Sequence, residues 1–196
     1  MGLNFFSCTV GSYVKFGRYP QTAEGEVRPV EWLVLYTSLS GAVLISRYGL
    51  DAKRFDSESN DWSKSEIYWW LNGEFYYNAF TSDERDLLGS FNDDHVFLLS
   101  KEEADEFFGD LANRDAGIFK CFLADKYKQD AMKCKPTEYA KANGAYADYD
   151  GYCWWWLRSS YISDCVYHVD EYGGICSYNS VRDDRGCVRP ALVIKF

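Results

Sequence analysis

Short runs of β-branched and aromatic residues recur through the first fifty positions, at 13–16, 30–36 and 42–47. Gly17, Pro20, Gly25, Pro29 and Gly41 punctuate them, which predicts three strands joined by turns. The hydrophobic period then lengthens. Ile67, Trp70, Leu71, Phe75 and Tyr76 fall at helical spacing behind a Ser63-x-x-Glu66 capping box. Asn72-Gly73 interrupts that run, so the pattern predicts a bent helix or two short ones. A short helix follows at 81–88, and the apolar HVFLLS at 95–100 reads as a buried strand. Ser100-x-x-Glu103 is a second capping box, opening a helix that buries Ala104, Phe107 and Phe108. A further helical stretch covers 118–133 and stops before Pro136. Residues 143–151 (NGAYADYDG) read as loop. Four strands close the chain at 153–158, 165–170, 174–180 and 187–196, with turns at Gly173-Gly174 and Arg185-Gly186. The order strands, helices, strands, with no repeat and no linker, predicts one α+β domain over 1–196.

Composition removes several function classes. A net charge of −9 argues against nucleic acid or an anionic membrane as partner, since either requires a basic face. No basic n-region precedes Lys15, so residues 1–10 do not read as a signal peptide. The longest uncharged stretch, 32–46, holds Thr37, Ser38, Ser40 and Gly41, and reads as two strands and a turn rather than a membrane span. Seven cysteines, none paired as CxxC, read as free and mostly buried thiols rather than a zinc site or a disulfide framework. Phosphate-loop, dinucleotide, zinc-protease and hydrolase signatures are absent. Asp148-x-Asp150-Gly151 resembles the start of a calcium loop but lacks its other ligands. Nothing in the sequence calls for a metal or cofactor, or anchors an enzyme. Of the two histidines, His95 reads as structural.

The informative stretch is 153–196. Its ends are dense and apolar: Trp154-Trp155-Trp156-Leu157-Arg158 before, Val188-Arg189-Pro190-Ala191-Leu192 after. The tryptophans read as core, and Arg158 and Arg189 as scaffold hydrogen bonding. The middle, 159–187, is tyrosine, serine, aspartate, glycine and cysteine with spaced valines. All its residues but Glu171 are of types that an NNC codon specifies. The five excluded types fill 32 of the first 158 positions, a density at which several more would fall in the window. Tyr161, Tyr167, Tyr172 and Tyr178 with interleaved polar residues have the composition of a paratope, in which tyrosine supplies rigid contact area and Ser, Asn and Asp adaptable hydrogen bonds. If Cys165, Val166, Val169, Ile175 and Val181 face the core, the residues between them form one outward patch.

Val14–Gln21 (VKFGRYPQ), Glu31–Leu35 (EWLVL), Trp70-Leu71-Asn72, Ala79-Phe80-Thr81, Val96–Ser100 (VFLLS), Pro136-Thr137-x-Tyr139-Ala140, Trp155–Ser159 (WWLRS) and Val188–Leu192 (VRPAL) resemble, in that order, a bacterial and phage domain family of unassigned function. Its members include variable proteins of diversity-generating retroelements, in which a C-terminal repeat rich in AAC codons is rewritten by an error-prone reverse transcriptase. The resemblance implies a C-type-lectin-like fold, related to that of formylglycine-generating enzyme. It implies a non-enzymatic binding protein whose region 159–187 varies on a fixed frame. The frame would hold Trp155–Arg158, Val169, Gly173 and Val188–Leu192. The ligand-binding, varied positions would be Tyr161, Ser163, Asp164, Tyr167, His168, Asp170, Tyr172, Tyr178, Asn179, Ser180, Asp183 and Asp184, and the partner a protein. Ser159-Ser160-Tyr161 departs from the family's Ser-Pro-Gly, so that turn is expected to be itself varied or remodelled. Two alternatives stand beside this reading: an oxidase of the formylglycine-generating type using Cys165, Cys176 or Cys187, and an invariant adhesive module of a phage or cell surface. No motif assigns a compartment or an oligomeric state.

Overall fold

The punctuated apolar runs of the first fifty residues form β1 (Tyr13–Pro20), β2 (Val27–Thr37) and β3 (Gly41–Ser46), followed by an unexpected two-residue β4 (Asp51–Ala52), in a computed structural model that describes residues 8–115 and 120–196. A helical segment follows: α1 (Glu66–Trp70), a π-turn at Leu71–Phe75, then α2 (Tyr76–Ala79) and α3 (Ser82–Leu87). After β5 (Val96–Phe97) come α4 (Lys101–Asp115), α5 (Lys120–Met132) and α6 (Glu138–Ala142). The chain ends in β6 (Trp155–Ser160), β7 (Cys165–Val169), β8 (Ile175–Ser180), β9 (Cys187–Val188) and β10 (Ala191–Lys195). The result is a single α+β domain with two mostly antiparallel sheets, ordered β1-β2-β3-β10-β5 and β4-β9-β6-β7-β8.

β3 and the first half of β6 are buried on both faces, which explains their unbroken apolar runs, whereas β1 alternates and β8 is only partly covered. In β3 every residue is buried. Ala42 and Leu44 point into one core with Trp32, Phe55, Phe75 and Trp156. Val43 and Ile45 point into a second core with Phe97, Phe108, Trp155 and Leu157. The triple tryptophan divides the same way, Trp154 and Trp156 to the first core and Trp155 to the second. A strand covered on one face alternates apolar with polar, whereas one covered on both does not.

Two sequence expectations are corrected, and one helix is added. The first helix does not begin at Ser63. Asp61 caps a 3-10 turn at Trp62–Lys64, and Ser65 caps α1 by accepting from the N–H of Tyr68 at 3.2 Å. Glu66 turns instead to Arg54. The strand expected over 187–196 is two strands in different sheets, β9 beside β4 and β6, and β10 beside β3 and β5. Arg189-Pro190 makes the crossing. The buried Arg189 donates to the carbonyls of Ser46 and Met132 at 3.0 and 3.1 Å, and its guanidinium stacks over Trp155. A helix the pattern did not reveal, α6, starts at Thr137, whose hydroxyl accepts from the N–H of Ala140.

Other expectations hold. The Ser100–Glu103 capping box is reciprocal, at 2.9 and 3.1 Å. The bend at Asn72-Gly73 is the π-turn, fixed by Asn72, which donates to the carbonyl of Val96 and accepts from its N–H. Residues 118 and 119 of the expected third helix lie outside the described residues, as does most of the segment weighed as a leader, residues 1–7.

Candidate functional site

The β7–β8 hairpin is held stiffly. Its turn closes through N–H of Asp170 to the carbonyl of Gly174 at 2.8 Å and N–H of Gly173 to the carbonyl of Asp170 at 3.0 Å. Gly173 has φ +85°, and a Cβ there would stand 1.9 Å from the carbonyl oxygen of Gln129 on α5, so no larger residue fits. The Asp170 carboxylate accepts from the N–H groups of Tyr172 and Gly174 and from the Cys176 thiol. Asp170 therefore builds the turn.

β7 alternates between the two cores: Val166 packs into the first, Tyr167 and Val169 into the second. This corrects the expectation of one outward patch. Tyr161 and Tyr167 sit edge to face at 5.3 Å, with the Lys101 ammonium 5.0 Å from the Tyr167 ring centre, on the face toward α4. The opposite face holds a different group. Val166 opposes Asn179 and His168 opposes Cys176, so β8 carries an extra residue between the pairs. That bulge brings both Tyr178 and Asn179 to one side, where strict alternation would separate them.

On that side lies an open cleft of about 180 Å³ lined by Tyr146, Trp154, His168, Glu171, Tyr178, Asn179, Asp183 and Arg185. His168 is its floor, which corrects its assignment as a displayed ligand contact: the residue is 1% exposed. Trp154 and Tyr178 meet the imidazole edge to face at 5.5 and 4.9 Å. Its Nδ1 has no hydrogen-bond partner. Burial pushes the imidazole down to about 4, against the partial opposition of Asp170, so it is neutral at pH 7. The walls follow from the chain around it. Gly186 lets the backbone close over Trp154 and Trp156, since a Cβ there would lie 2.5 Å from the Trp154 ring. The 143–151 loop is tied on by Tyr146 N–H to the Arg185 carbonyl at 3.1 Å. Arg185 forks onto Asp183 at 3.0 and 2.8 Å and holds that carboxyl below its usual range.

The remaining expected residues are distributed around this hairpin. Tyr178 and Tyr172 are 70% and 65% exposed, and Ser163 and Asp184 are exposed in loops. Asp164 accepts from Ser180 and Arg182, both at 3.0 Å, beyond the cleft. Ser159 and Ser160, expected in a turn, end β6 instead, and the chain leaves the strand at Tyr161, held by Asn60, which donates to the carbonyls of Tyr161 and Cys165 while Ser160 donates to the carbonyl of Asn60. Tyr146, Trp154, Glu171 and Arg185 were missed as site residues. The tyrosine-rich 143–151 loop and the exceptional Glu171 inside the NNC-type window were the available signals.

The scaffold arginines act as expected, Arg158 forking onto both oxygens of Glu103 and donating to the carbonyl of Leu98. Six cysteines are free thiols, with Cys134, Cys153 and Cys187 buried; the Cys121 side chain lies outside the described atoms. Of the thiols an oxidase would use, Cys187 is sealed in the second core, and burial together with Asp170 pushes Cys176 up to about 11. Asp148 serves its own turn, accepting from the N–H groups of Asp150 and Tyr152. Among the described residues no group of three His, Cys, Asp or Glu side chains is placed to hold a metal ion, and no helix is long and apolar enough to cross a membrane.

A family model for a domain of unknown function, DUF6273, matches residues 91–196, more than half of the chain and all of the second sheet except β4. The chain belongs to that family. No curated protein and no solved structure matches it.

Proposed function

We propose that this DUF6273 chain is a non-enzymatic ligand-binding domain of C-type-lectin type, whose β7–β8 hairpin and flanking loops present a replaceable recognition surface to a protein partner. The observation that carries this reading is the cleft: a rigid floor of Trp154 and His168 beneath a rim of Tyr178, Asn179 and the Tyr146 loop, with exposed Tyr172 at the turn. Exposed tyrosines on a stiff support contribute contact area at low entropic cost, which is the physical logic of a paratope.

The motif resemblance supports replacement of the surface by retroelement mutagenesis. On this reading the varied set on the cleft side would be Tyr172, Tyr178, Asn179, Asp183 and Asp184, with Tyr161, Ser163, Asp164, Tyr167 and Ser180 on the far side of the hairpin. His168 and Asp170 belong to the support. Sequencing many natural copies of the gene and its downstream DNA tests the proposal. It predicts adenine-codon substitutions concentrated at the exposed positions, a near-identical template repeat and a neighbouring reverse transcriptase. An invariant 159–187 segment without a template would overturn it.

A further inference from the structure

Three features of the cleft converge on one ligand chemistry. The first is size. At about 180 Å³ the cleft holds roughly six waters' worth of space, well under the ~300 Å³ at which drug-sized ligands begin to be enclosed. It fits the end of a side chain and not a whole small molecule.

The second is charge. The lining carries two carboxylates, Glu171 and Asp183, and one cation, Arg185. The Arg185 guanidinium is turned onto Asp183 by two hydrogen bonds, which leaves the Glu171 field uncompensated. Burial first, and then nearby carboxylates, push both rim tyrosines upward: Glu171 and Asp148 at Tyr146, Asp170 and Glu171 at Tyr178. The floor supplies no opposing charge.

The third is the walls. Tyr146, Tyr178 and Trp154 present aromatic surface around the opening, and the buried His168, with its unpartnered Nδ1, lies among them. An aromatic-walled, electronegative pocket attracts a cation through ring quadrupoles and coulombic field together. A guanidinium also stacks flat on a ring and donates in several directions, which an ammonium does not.

We propose that this cleft receives the guanidinium end of an arginine side chain projecting from the partner protein. The inference rests on the reading of the hairpin as a ligand-binding surface and specifies what its central pocket takes.

Small analogues test it on the intact chain. The 15N-labelled protein is titrated at constant ionic strength with butylguanidinium, butylammonium, neutral butylurea and anionic pentanoate, following the Trp154 indole N–H and the Asn179 and Gly186 amides. Butylguanidinium is expected to give saturable shifts at these probes, with affinity about tenfold above butylurea and above butylammonium by a smaller factor. Glu171→Gln, a partly exposed change, is expected to weaken butylguanidinium about fivefold while leaving butylurea and the melting temperature unchanged. Equal or tighter binding of butylurea, tighter binding of pentanoate, or no shift at the cleft with any probe would each overturn the cation assignment. None of these results touches the recognition reading, which stands or falls on the gene copies.

Discussion

His168 makes the scaffold sensitive to mild acid. Its imidazole titrates near 6.5 in an unfolded chain and about 4 in the folded one, chiefly because burial disfavours the imidazolium. Between those values the unfolded state binds more protons, so stability falls as pH falls. Linkage from these two values gives a loss of about 1.4 kcal/mol at pH 5.5 and about 2.6 kcal/mol at pH 4.5, relative to pH 8. Against a typical total of ~5–15 kcal/mol this is readily measured. Urea unfolding followed by tryptophan fluorescence from pH 8 to 4.5 provides the assay. Carboxylates contribute their own slope, so the informative quantity is the difference between wild type and the non-titrating His168→Phe. The wild type should lose about 2.6 kcal/mol more than the variant over this range. Parallel curves for the two proteins would show that His168 protonates freely in the folded state, and would refute its placement as a sealed cleft floor.

Other consequences are equally direct. Gly173→Ala should lower the melting temperature by about 5 °C or more, since the left-handed backbone costs about 1 kcal/mol and the methyl group meets the Gln129 carbonyl; differential scanning fluorimetry reads it. Arg158→Ala strips the partner from the largely buried Glu103 and should destabilise by about 3 kcal/mol, with Glu103→Gln non-additive to it in chemical denaturation. Tyr172→Ala and Tyr178→Ala should each shift stability by less than about 0.5 kcal/mol, because both side chains stand in solvent. Mass-resolved alkylation of the native protein should leave Cys134, Cys153 and Cys187 unmodified until it unfolds, while Cys8 and Cys165 react, and Cys176 should react more slowly than an ordinary thiol at pH 7.5.

The first sheet was legible because its strands carry local signals: β-branched runs ended by Gly17, Pro20, Gly25, Pro29 and Gly41. Helix starts were legible only where one candidate cap stood alone. Ser100 is the one hydroxyl at its helix start, and its box with Glu103 forms. Between Asp61 and Ser65 three capping side chains compete, and the tertiary demand of Arg54 for Glu66 decides among them. The split of the last strand was hidden because the partners of Arg189, read as a scaffold hydrogen-bonding residue, are Ser46 and Met132, both distant in sequence.

The site was half legible for a related reason. Composition identified the hairpin, but assigning faces required knowing that β7 packs against a core on each side. With cores above and below, the valines of β7 do not mark an inner face, and His168 shares the buried side with Val166. The β8 bulge then redirects Tyr178 and Asn179 together. A bulge arises from the register of two strands, which no single-strand pattern encodes. Asp170, Asp164 and Asp183 look alike in the sequence, yet one builds a turn and two hold arginines.

A saturation scan of residues 155–189, displayed on yeast and sorted for protease resistance, tests the division between support and recognition surface most directly. Tyr172, Tyr178, Asn179 and Asp184 should accept nearly every residue, while Trp155, Val166, His168, Val169, Gly173 and Arg189 should accept few. Restriction at Tyr172, Tyr178 and Asn179 equal to that at Val166 would mean that these side chains hold the domain together, and would contradict a surface free to change for recognition.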